Sequence, residues 1–241
     1  HGQAADRGCR RDDLGPDARI TAEGNAAHYL LSVMRVKEGD AVLLFNGRDG
    51  EWAARAVDIR KRDLMLVCAG QTKPLEAVPD LWLCAAPVKK GRIDMIVEKA
   101  CELGVARLQP VLTRRAVVDR LNLDRLNAHI IEAAEQCGRT SLTQLADMTK
   151  LDALLREWPA DRHLFFADET GGAPMRDAFA LNIGPAAILI GPEGGFTPEE
   201  RIAIRAIAQA VPISLGPRIL RAETAALASV ACWMAANGDW K

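Results

Sequence analysis

Apolar and polar residues alternate in three short segments near the N-terminus, as they do in strands that bury one face. These segments span residues 40–45, 51–59 and 63–68. Asn46-Gly47 and Asp49-Gly50 indicate tight turns, because asparagine and glycine accept the backbone angles that hairpins require. A short helix is predicted over residues 26–35. The pattern therefore predicts a small barrel-like β domain over residues 1–72, followed by a linker over residues 73–79.

After residue 80, apolar strands alternate with amphipathic helices. The predicted strands span residues 81–86, 108–112, 163–167, 186–190 and 211–215, and the predicted helices span 92–103, 123–137, 151–158 and 222–236. A further helix begins at Thr197, where Pro198 and Glu200 complete the pattern of a capped helix start. Such alternation predicts a mainly parallel sheet covered by helices, so residues 80–241 are expected to form one α/β domain.

The composition is that of an ordinary globular protein, and no apolar run is long enough to cross a membrane. The polar, charged N-terminus has no signal-peptide pattern. The cysteines are scattered, at positions 9, 68, 84, 101, 137 and 232, without a C-x-x-C pair. This spacing argues against a zinc site or a disulfide framework and fits a reducing compartment. We therefore expect a cytoplasmic protein with no membrane partner and no metal.

The net charge of −1 excludes a globally basic nucleic-acid-binding protein. Basic side chains are concentrated between residues 73 and 121, at Lys89, Lys90, Arg92, Arg114 and Arg115. A nucleic acid would have to be held by such a local patch, although on charge alone ordinary solvated side chains explain these residues better. Gln136 and Arg139 lie near the end of a predicted helix, where an arginine that matches the helix dipole is a sufficient explanation.

Two turns that contain glycine follow predicted strands, one at Gly191–Gly195 and the other at Gly216-Pro217. Ligands of open α/β sheets bind beyond the carboxyl ends of the strands, and glycine lets a ligand approach the backbone. Alone, the first turn is weak evidence for a ligand, because a tight structural connection between strand and helix also explains it. Neither turn fits the dinucleotide-binding or P-loop pattern, which disfavours a nucleotide-dependent dehydrogenase.

Polar and charged side chains crowd the junction after the second turn, at Arg218, Arg221, Glu223 and Thr224. A helix start favours acidic residues because of the backbone dipole, so two arginines there need a reason. Either they pair with Glu223 or Glu193, or they bind an anionic ligand such as an RNA phosphate. The sequence leaves both explanations open.

The chain resembles the ribosomal RNA small subunit methyltransferase E family of the SPOUT class in residues 89–105, 135–139, 189–196 and 215–225. Residues 26–40 are similar to the PUA-like RNA-binding barrel with which that family begins. Family members usually start with an apolar strand that contains arginine, whereas residues 1–19 are polar and irregular here. The resemblance implies an α/β fold, in which a small PUA-like β-barrel precedes a mainly parallel SPOUT-type sheet with helices on both faces and a C-terminal trefoil knot.

The same resemblance implies a homodimer, with each active site at the subunit interface, that methylates N3 of a uridine in 16S ribosomal RNA of the small ribosomal subunit. S-adenosyl-L-methionine is the implied methyl donor, and no metal is required. The implied donor-binding residues are Leu189, Ile190, Gly191, Pro192, Glu193, Gly194, Gly195, Leu215, Gly216, Ile219 and Leu220. The implied RNA-binding residues are Lys89, Lys90, Arg92, Arg114, Arg115, Gln136 and Arg139.

Methylation of N3 requires that its weakly acidic imide proton is lost and that the resulting anion is stabilised. A nearby arginine can stabilise the anion, and a carboxylate or water can take the proton. We therefore expect Arg221 or Arg218 to bind the anion or a phosphate. Glu223 is the candidate base, and orienting an arginine is its alternative role.

Two other functions stay open for this sequence. One is a SPOUT methyltransferase that acts on another RNA, such as tRNA. The other is a non-catalytic RNA-binding assembly factor that kept the fold. The glycine turns argue against the second, because a protein that binds no donor does not need them.

Overall fold

A computed structural model of the chain describes residues 12–240. The described residues divide into two units. The first unit contains the chain up to Ala77 together with Ile130–Leu142, and the second contains Val78–His129 and the chain from Thr143 onward. Ile130–Leu142 is thus grouped with the N-terminal part of the chain, although it follows residue 80 in the sequence.

The first unit contains a four-stranded antiparallel sheet. Its strands are β1 (Arg19–Glu23), β2 (Ala41–Phe45), β3 (Glu51–Ile59) and β4 (Asp63–Lys73), in the order β1-β4-β3-β2. The three predicted strands are confirmed as β2, β3 and β4. The sequence does not predict β1, because only Ile20 and Ala22 are buried along it and two apolar positions make a weak pattern. Residues 1–11 of the irregular N-terminal segment lie outside the described residues.

A helix packs into the core of the first unit. α1 (Gly24–His28) continues as a π-helical turn over Tyr29–Val33, where the sequence predicts one helix over residues 26–35. Leu30 of this turn joins a core that includes Ile20, Leu44, Leu64 and Leu66, all of them at most 2% exposed. Burial of each such side chain stabilises the fold by roughly 1.5–3 kcal/mol.

The second unit is built on one parallel sheet. Its strands are β5 (Leu81–Ala85), β6 (Arg107–Leu112), β7 (Gln144–Leu145), β8 (Thr149–Lys150), β9 (His163–Ala167), β10 (Ala173–Pro174), β11 (Ala186–Ile190) and β12 (Ala210–Ser214). The order is β10-β12-β9-β11-β5-β6-β7, and β8 pairs with β6. Every pairing in this unit is parallel among the described residues, which confirms the predicted parallel α/β sheet.

The remaining helices are α2 (Lys90–Glu102), α3 (Leu123–Cys137), α4 (Leu151–Arg156), α5 (Met175–Leu181), α6 (Pro198–Arg205) and α7 (Ala222–Asn237). The predicted cap of α6 is confirmed: Glu200 N donates to Thr197 Oγ1, and Thr197 N donates to a carboxylate oxygen of Glu200. The sequence does not predict α5, because this short helix leaves Leu181 83% exposed and shows no clear apolar face. Within residues 12–240, none of the helices combines the length and the apolar character needed to cross a membrane.

β11 lies near the centre of the sheet, between β9 and β5. All five of its residues are at most 3% exposed, as expected for a strand covered on both faces. Because β9 also pairs with β12, the carboxyl ends of β9, β11 and β12 lie side by side at one edge of the sheet. This edge carries both glycine turns. The trefoil knot stays a prediction.

Candidate active site

A cavity of about 240 Å³ opens where β9, β11 and β12 end. The predicted donor residues in its wall are Ile190, Gly191, Pro192, Glu193, Gly195, Leu215, Gly216, Ile219 and Leu220. Leu189 and Gly194 are not part of the wall: Leu189 is fully buried within β11, and Gly194 packs against Arg115. The fold therefore brings the two predicted turns together into one concave site.

The first turn, Gly191–Gly195, has structural reasons for its glycines. Gly195 has a φ of +66°, a backbone conformation that side chains disfavour. A Cβ on Gly195 would lie 2.9 Å from Glu169 Oε1, and a Cβ on Gly191 would lie 3.2 Å from the ring of Phe196. Internal packing of the turn thus accounts for these two positions.

Gly216 in the second turn is different. Its φ is +99°, and apart from Gly216 and its two chain neighbours no described residue has an atom within 4 Å of the position that a Cβ would take. Nearby Ile219 lines the same cavity and is 92% exposed. Open space beside a glycine and an exposed apolar side chain leaves room for a ligand at this turn.

Arg218 and Arg221 are both exposed. Arg218 lines the cavity, and Arg221 immediately precedes α7. Neither arginine forms an ion pair within residues 12–240, and the two acidic residues considered as partners contact Arg92 instead. Of the two explanations that the sequence left open, internal pairing is therefore not observed.

Arg92, on the first turn of α2, contacts both acidic residues. Its Nη1 donates to Glu193 Oε1 at 3.0 Å, and its Nε lies 3.5 Å from Glu223 Oε1. Glu223 is 9% exposed, and its Oε2 has no hydrogen-bond partner among the described residues. A buried carboxyl group is costly without a partner, so the contact with Arg92 stabilises Glu223 at this position. The family resemblance implies that Arg92 binds RNA, whereas in the structure Arg92 forms ion pairs with Glu193 and Glu223.

A third wall of the cavity comes from the segment after β9, which the sequence reasoning missed. Asp168 accepts hydrogen bonds from Thr170 N at 2.9 Å and from Arg205 Nη2 at 2.6 Å, and its carboxylate is fully covered. Burial raises the pKa of Asp168, but these hydrogen bonds outweigh it and leave the pKa below its usual value. Glu169 also lines the cavity, and its Oε1 accepts from Arg201 at 2.6 Å. Two adjacent acidic residues after a predicted strand were the available signal.

The predicted RNA-binding residues of the second unit lie on its surface. Lys89 and Lys90 are exposed at the start of α2, and Arg114 and Arg115 are exposed after β6. Arg115 Nη1 also donates to the carbonyl oxygen of Gly194 at 2.7 Å. Part of this basic segment therefore supports the first glycine turn.

Gln136 and Arg139 belong to the first unit. Gln136 is exposed, whereas Arg139 is only 7% exposed. Arg139 Nε donates to Glu76 Oε1 at 3.3 Å, and Ser141 donates to the same oxygen from its backbone and its hydroxyl group. Burial raises the pKa of Glu76, but the contacts with Ser141 and Arg139 more than compensate and lower it. This position leaves Arg139 little surface for RNA.

Within residues 12–240, no group of three or more histidine, cysteine, aspartate or glutamate side chains is arranged to hold a metal ion. The wall of the cavity offers carboxylates, guanidinium groups and the backbone of the two turns. Such a set can hold a polar nucleoside, orient an acid–base pair and stabilise an anion.

Comparison with known proteins identifies the family. Residues 75–234 match the RNA methyltransferase domain, and residues 22–66 match the RNA methyltransferase PUA domain. The ribosomal RNA small subunit methyltransferase E of Rickettsia conorii is 32% identical, over 87% of this chain and 86% of that protein. The protein of the same name from Synechocystis sp. is 30% identical, over 89% of this chain and 72% of that protein.

Two solved structures share the whole fold. A putative methyltransferase from Legionella pneumophila, in complex with S-adenosylmethionine, superposes with a TM-score of 0.86 at 29% identity and covers 98% of both chains. The ribosomal RNA small subunit methyltransferase E of Neisseria gonorrhoeae, bound to S-adenosylmethionine, also gives 0.86, at 26% identity, over 95% of this chain and 97% of that one. The sequence matches agree with the observed fold, a parallel sheet in the second unit and an antiparallel sheet in the first. The chain belongs to the ribosomal RNA small subunit methyltransferase E family.

Proposed function

We propose that this protein transfers a methyl group from S-adenosylmethionine to N3 of a uridine in 16S ribosomal RNA of the small ribosomal subunit. The observation that carries the proposal is the cavity at the ends of β9, β11 and β12, formed by two glycine turns in a chain whose structural neighbours hold this donor. Ligands of parallel sheets bind at this edge.

The residues of the cavity fit the chemical groups of the donor. Ile190, Leu215 and Leu220 offer apolar surface to an adenine ring, and the open space at Gly216 lets a ligand reach the backbone. Glu169 places a carboxylate in the wall, which suits a ribose hydroxyl or an ammonium group. When bound, the donor supplies a methyl group on a positively charged sulfur, which the substrate nitrogen attacks.

The chain must remove the imide proton of uracil and stabilise the negative charge that develops on N3 and its two carbonyl groups. We assign the second task to Arg221 or Arg218, because both are exposed beside the cavity and have no internal ion pair in the described chain. A guanidinium without a protein partner is available to an anion or a phosphate. For Glu223 we favour the orienting role over the role of base, because the carboxylate is buried against Arg92.

We propose further that Lys89, Lys90, Arg114, Arg115 and Gln136 contact the RNA, since all are exposed. Residues 1–72 are proposed as the RNA-binding domain, 73–79 as a linker and 80–241 as the methyltransferase domain. Support comes from the matched regions, 22–66 and 75–234.

A homodimer is proposed on the basis of α7, which is apolar around most of its circumference and follows the exposed Ile219. The free cysteines at 68, 84, 101, 137 and 232 support a cytoplasmic location.

Calorimetry and substrate competition test this function together. We expect the protein to bind S-adenosylhomocysteine and to transfer labelled methyl groups to small subunits that lack the modification. Absence of binding by folded protein would favour the non-catalytic assembly factor. Faster transfer to tRNA than to small subunits would favour a methyltransferase for another RNA, and both outcomes contradict the proposal.

A further inference from the structure

Two carboxylates of the candidate active site are joined by one arginine. The side chain of Glu223 is 11% exposed, and those of Arg92 and Glu193 are 35% and 34% exposed. Arg92 lies 3.5 Å from Glu223 and 3.0 Å from Glu193. Of the three residues, only Glu193 lines the cavity. A buried carboxylate thus holds an arginine, and that arginine holds a second carboxylate at the wall of the cavity.

This is the arrangement by which a base is oriented in an enzyme, where the group that takes the proton is held by a partner that is itself fixed. Glu193 accepts a hydrogen bond from Arg92 at Oε1, and no described residue donates to its Oε2. One oxygen of Glu193 is therefore available to a substrate. Glu223 does not meet this condition, because its free Oε2 is covered by protein.

A similar cluster lies on another side of the cavity. Asp168 lies 3.7 Å from Arg201, and Arg201 donates to Glu169 at 2.6 Å. The two clusters differ in their neighbours. Arg92 follows the exposed cations Lys90 and Lys89 by two and three positions, so the Glu193 cluster lies next to a surface that attracts phosphates. In the other cluster, a second arginine, Arg205, also contacts Asp168, at 2.6 Å.

We propose that Glu193 is the proton acceptor for methyl transfer, and that Arg92 and Glu223 are positioning residues that orient it. The inference rests on the proposed function. The N3 proton moves to an oxygen of Glu193, and the electron pair on N3 forms a bond with the methyl carbon. The pair of the broken methyl–sulfur bond stays on sulfur, which becomes a neutral thioether, and Glu193 then releases its proton to water.

The test measures kcat of Glu193→Gln at saturating donor and RNA between about pH 6 and 9.5. Loss of a general base should lower kcat roughly 10²–10⁴-fold near neutral pH. The gap between variant and wild type should narrow as pH rises, because the imide ionises without a base in alkaline solution. Arg92→Ala should lower kcat by a smaller factor, with the same pH dependence. Arg92→Lys should restore part of the kcat that Arg92→Ala loses. Affinity for S-adenosylhomocysteine should stay within about threefold.

Two further variants make the result decisive. Glu157→Gln removes an exposed carboxylate after α4, away from the cavity wall, and should leave kcat unchanged. Glu169→Gln tests the cluster of Asp168, Arg201 and Glu169, and its kcat should not rise toward that of the wild type at high pH. Full activity of Glu193→Gln, a gap that is the same at every pH, or alkaline recovery in Glu169→Gln alone would overturn the assignment. If the wild type forms no N3-methyluridine, the proposed function fails instead.

Discussion

Arg92 and Glu193 lie 101 positions apart in the chain, and their side chains meet at 3.0 Å. The contact joins the first turn of α2 to the glycine turn that follows β11. Since Arg92 also contacts Glu223 at the start of α7, one guanidinium links three segments around the cavity. A residue that looks like an RNA contact in the sequence thus contributes to the internal order of the site.

Arg221→Ala should lower kcat strongly without unfolding the protein. Arg221 is exposed and has no ion pair in the described chain, so its removal leaves no buried charge behind. Loss of one electrostatic stabiliser of a developing anion costs about 10²-fold in kcat. Single-turnover methylation at saturating donor measures the effect, and thermal unfolding of the same variant checks the fold. Full activity of Arg221→Ala would contradict the role given to this residue.

Gly216→Ala should destabilise the second turn. The φ of +99° at Gly216 disfavours any side chain, and a residue held in such a region costs of order 1–3 kcal/mol. Weaker binding of S-adenosylhomocysteine should accompany the lower free energy of unfolding. Gly91→Ala is the matched control, because Gly91 lies in α2 with open space around it and alanine favours helix there. Equal stability of the two variants would argue against strain at the second turn.

Asp168 should make the stability of the protein depend on acidic pH. Its pKa lies below the ordinary value of 3.8, because its hydrogen bonds outweigh the effect of burial. A carboxyl group whose folded pKa is lowered contributes stability above the unfolded pKa, and that contribution disappears as pH falls through the folded pKa. Asp168→Asn should cost about 1–3 kcal/mol at pH 7. In urea denaturation, the difference between wild type and variant should shrink below about pH 4, and a constant difference would contradict the ionised state.

Arg139→Ala should lower the free energy of unfolding of the first unit and change RNA affinity little. The buried guanidinium is paired with Glu76, and loss of one partner of a buried pair costs roughly 3–5 kcal/mol. Glu76 is partly exposed, so we expect the lower end of that range. The double variant Glu76→Ala/Arg139→Ala should lose less than the sum of the single variants in denaturant unfolding. Gln136→Ala, at an exposed position nearby, controls for the helix end and should change stability little.

Local patterns were enough to predict much of the fold. The strands that end at Ile190 and Ser214 are apolar and short, so both glycine turns could be assigned to the carboxyl edge of the sheet. The cap at Thr197 follows a spacing rule that needs no tertiary information. β1 and α5 were missed because their apolar patterns are weak: only Ile20 and Ala22 are buried along β1, and Leu181 of α5 is 83% exposed.

Pairing between distant side chains could not be predicted. The sequence left open whether Arg218 and Arg221 pair with Glu223 or Glu193 or bind an anionic ligand. In the structure, the partner of both carboxylates is Arg92 on α2. Arg139 is a second example, because its buried side chain pairs with Glu76, which lies in a distant segment of the chain. Periodicity and spacing determine elements, whereas the assignment of a charge to a ligand or to an internal partner depends on packing.

The most direct test identifies the methylated nucleoside. Purified protein is incubated with isotope-labelled S-adenosylmethionine and unmodified small ribosomal subunits, and the RNA is digested and analysed by mass spectrometry. We expect label in a single N3-methyluridine of 16S ribosomal RNA. Label on another atom or another nucleoside, or no label with protein that binds S-adenosylhomocysteine, would contradict the proposed activity.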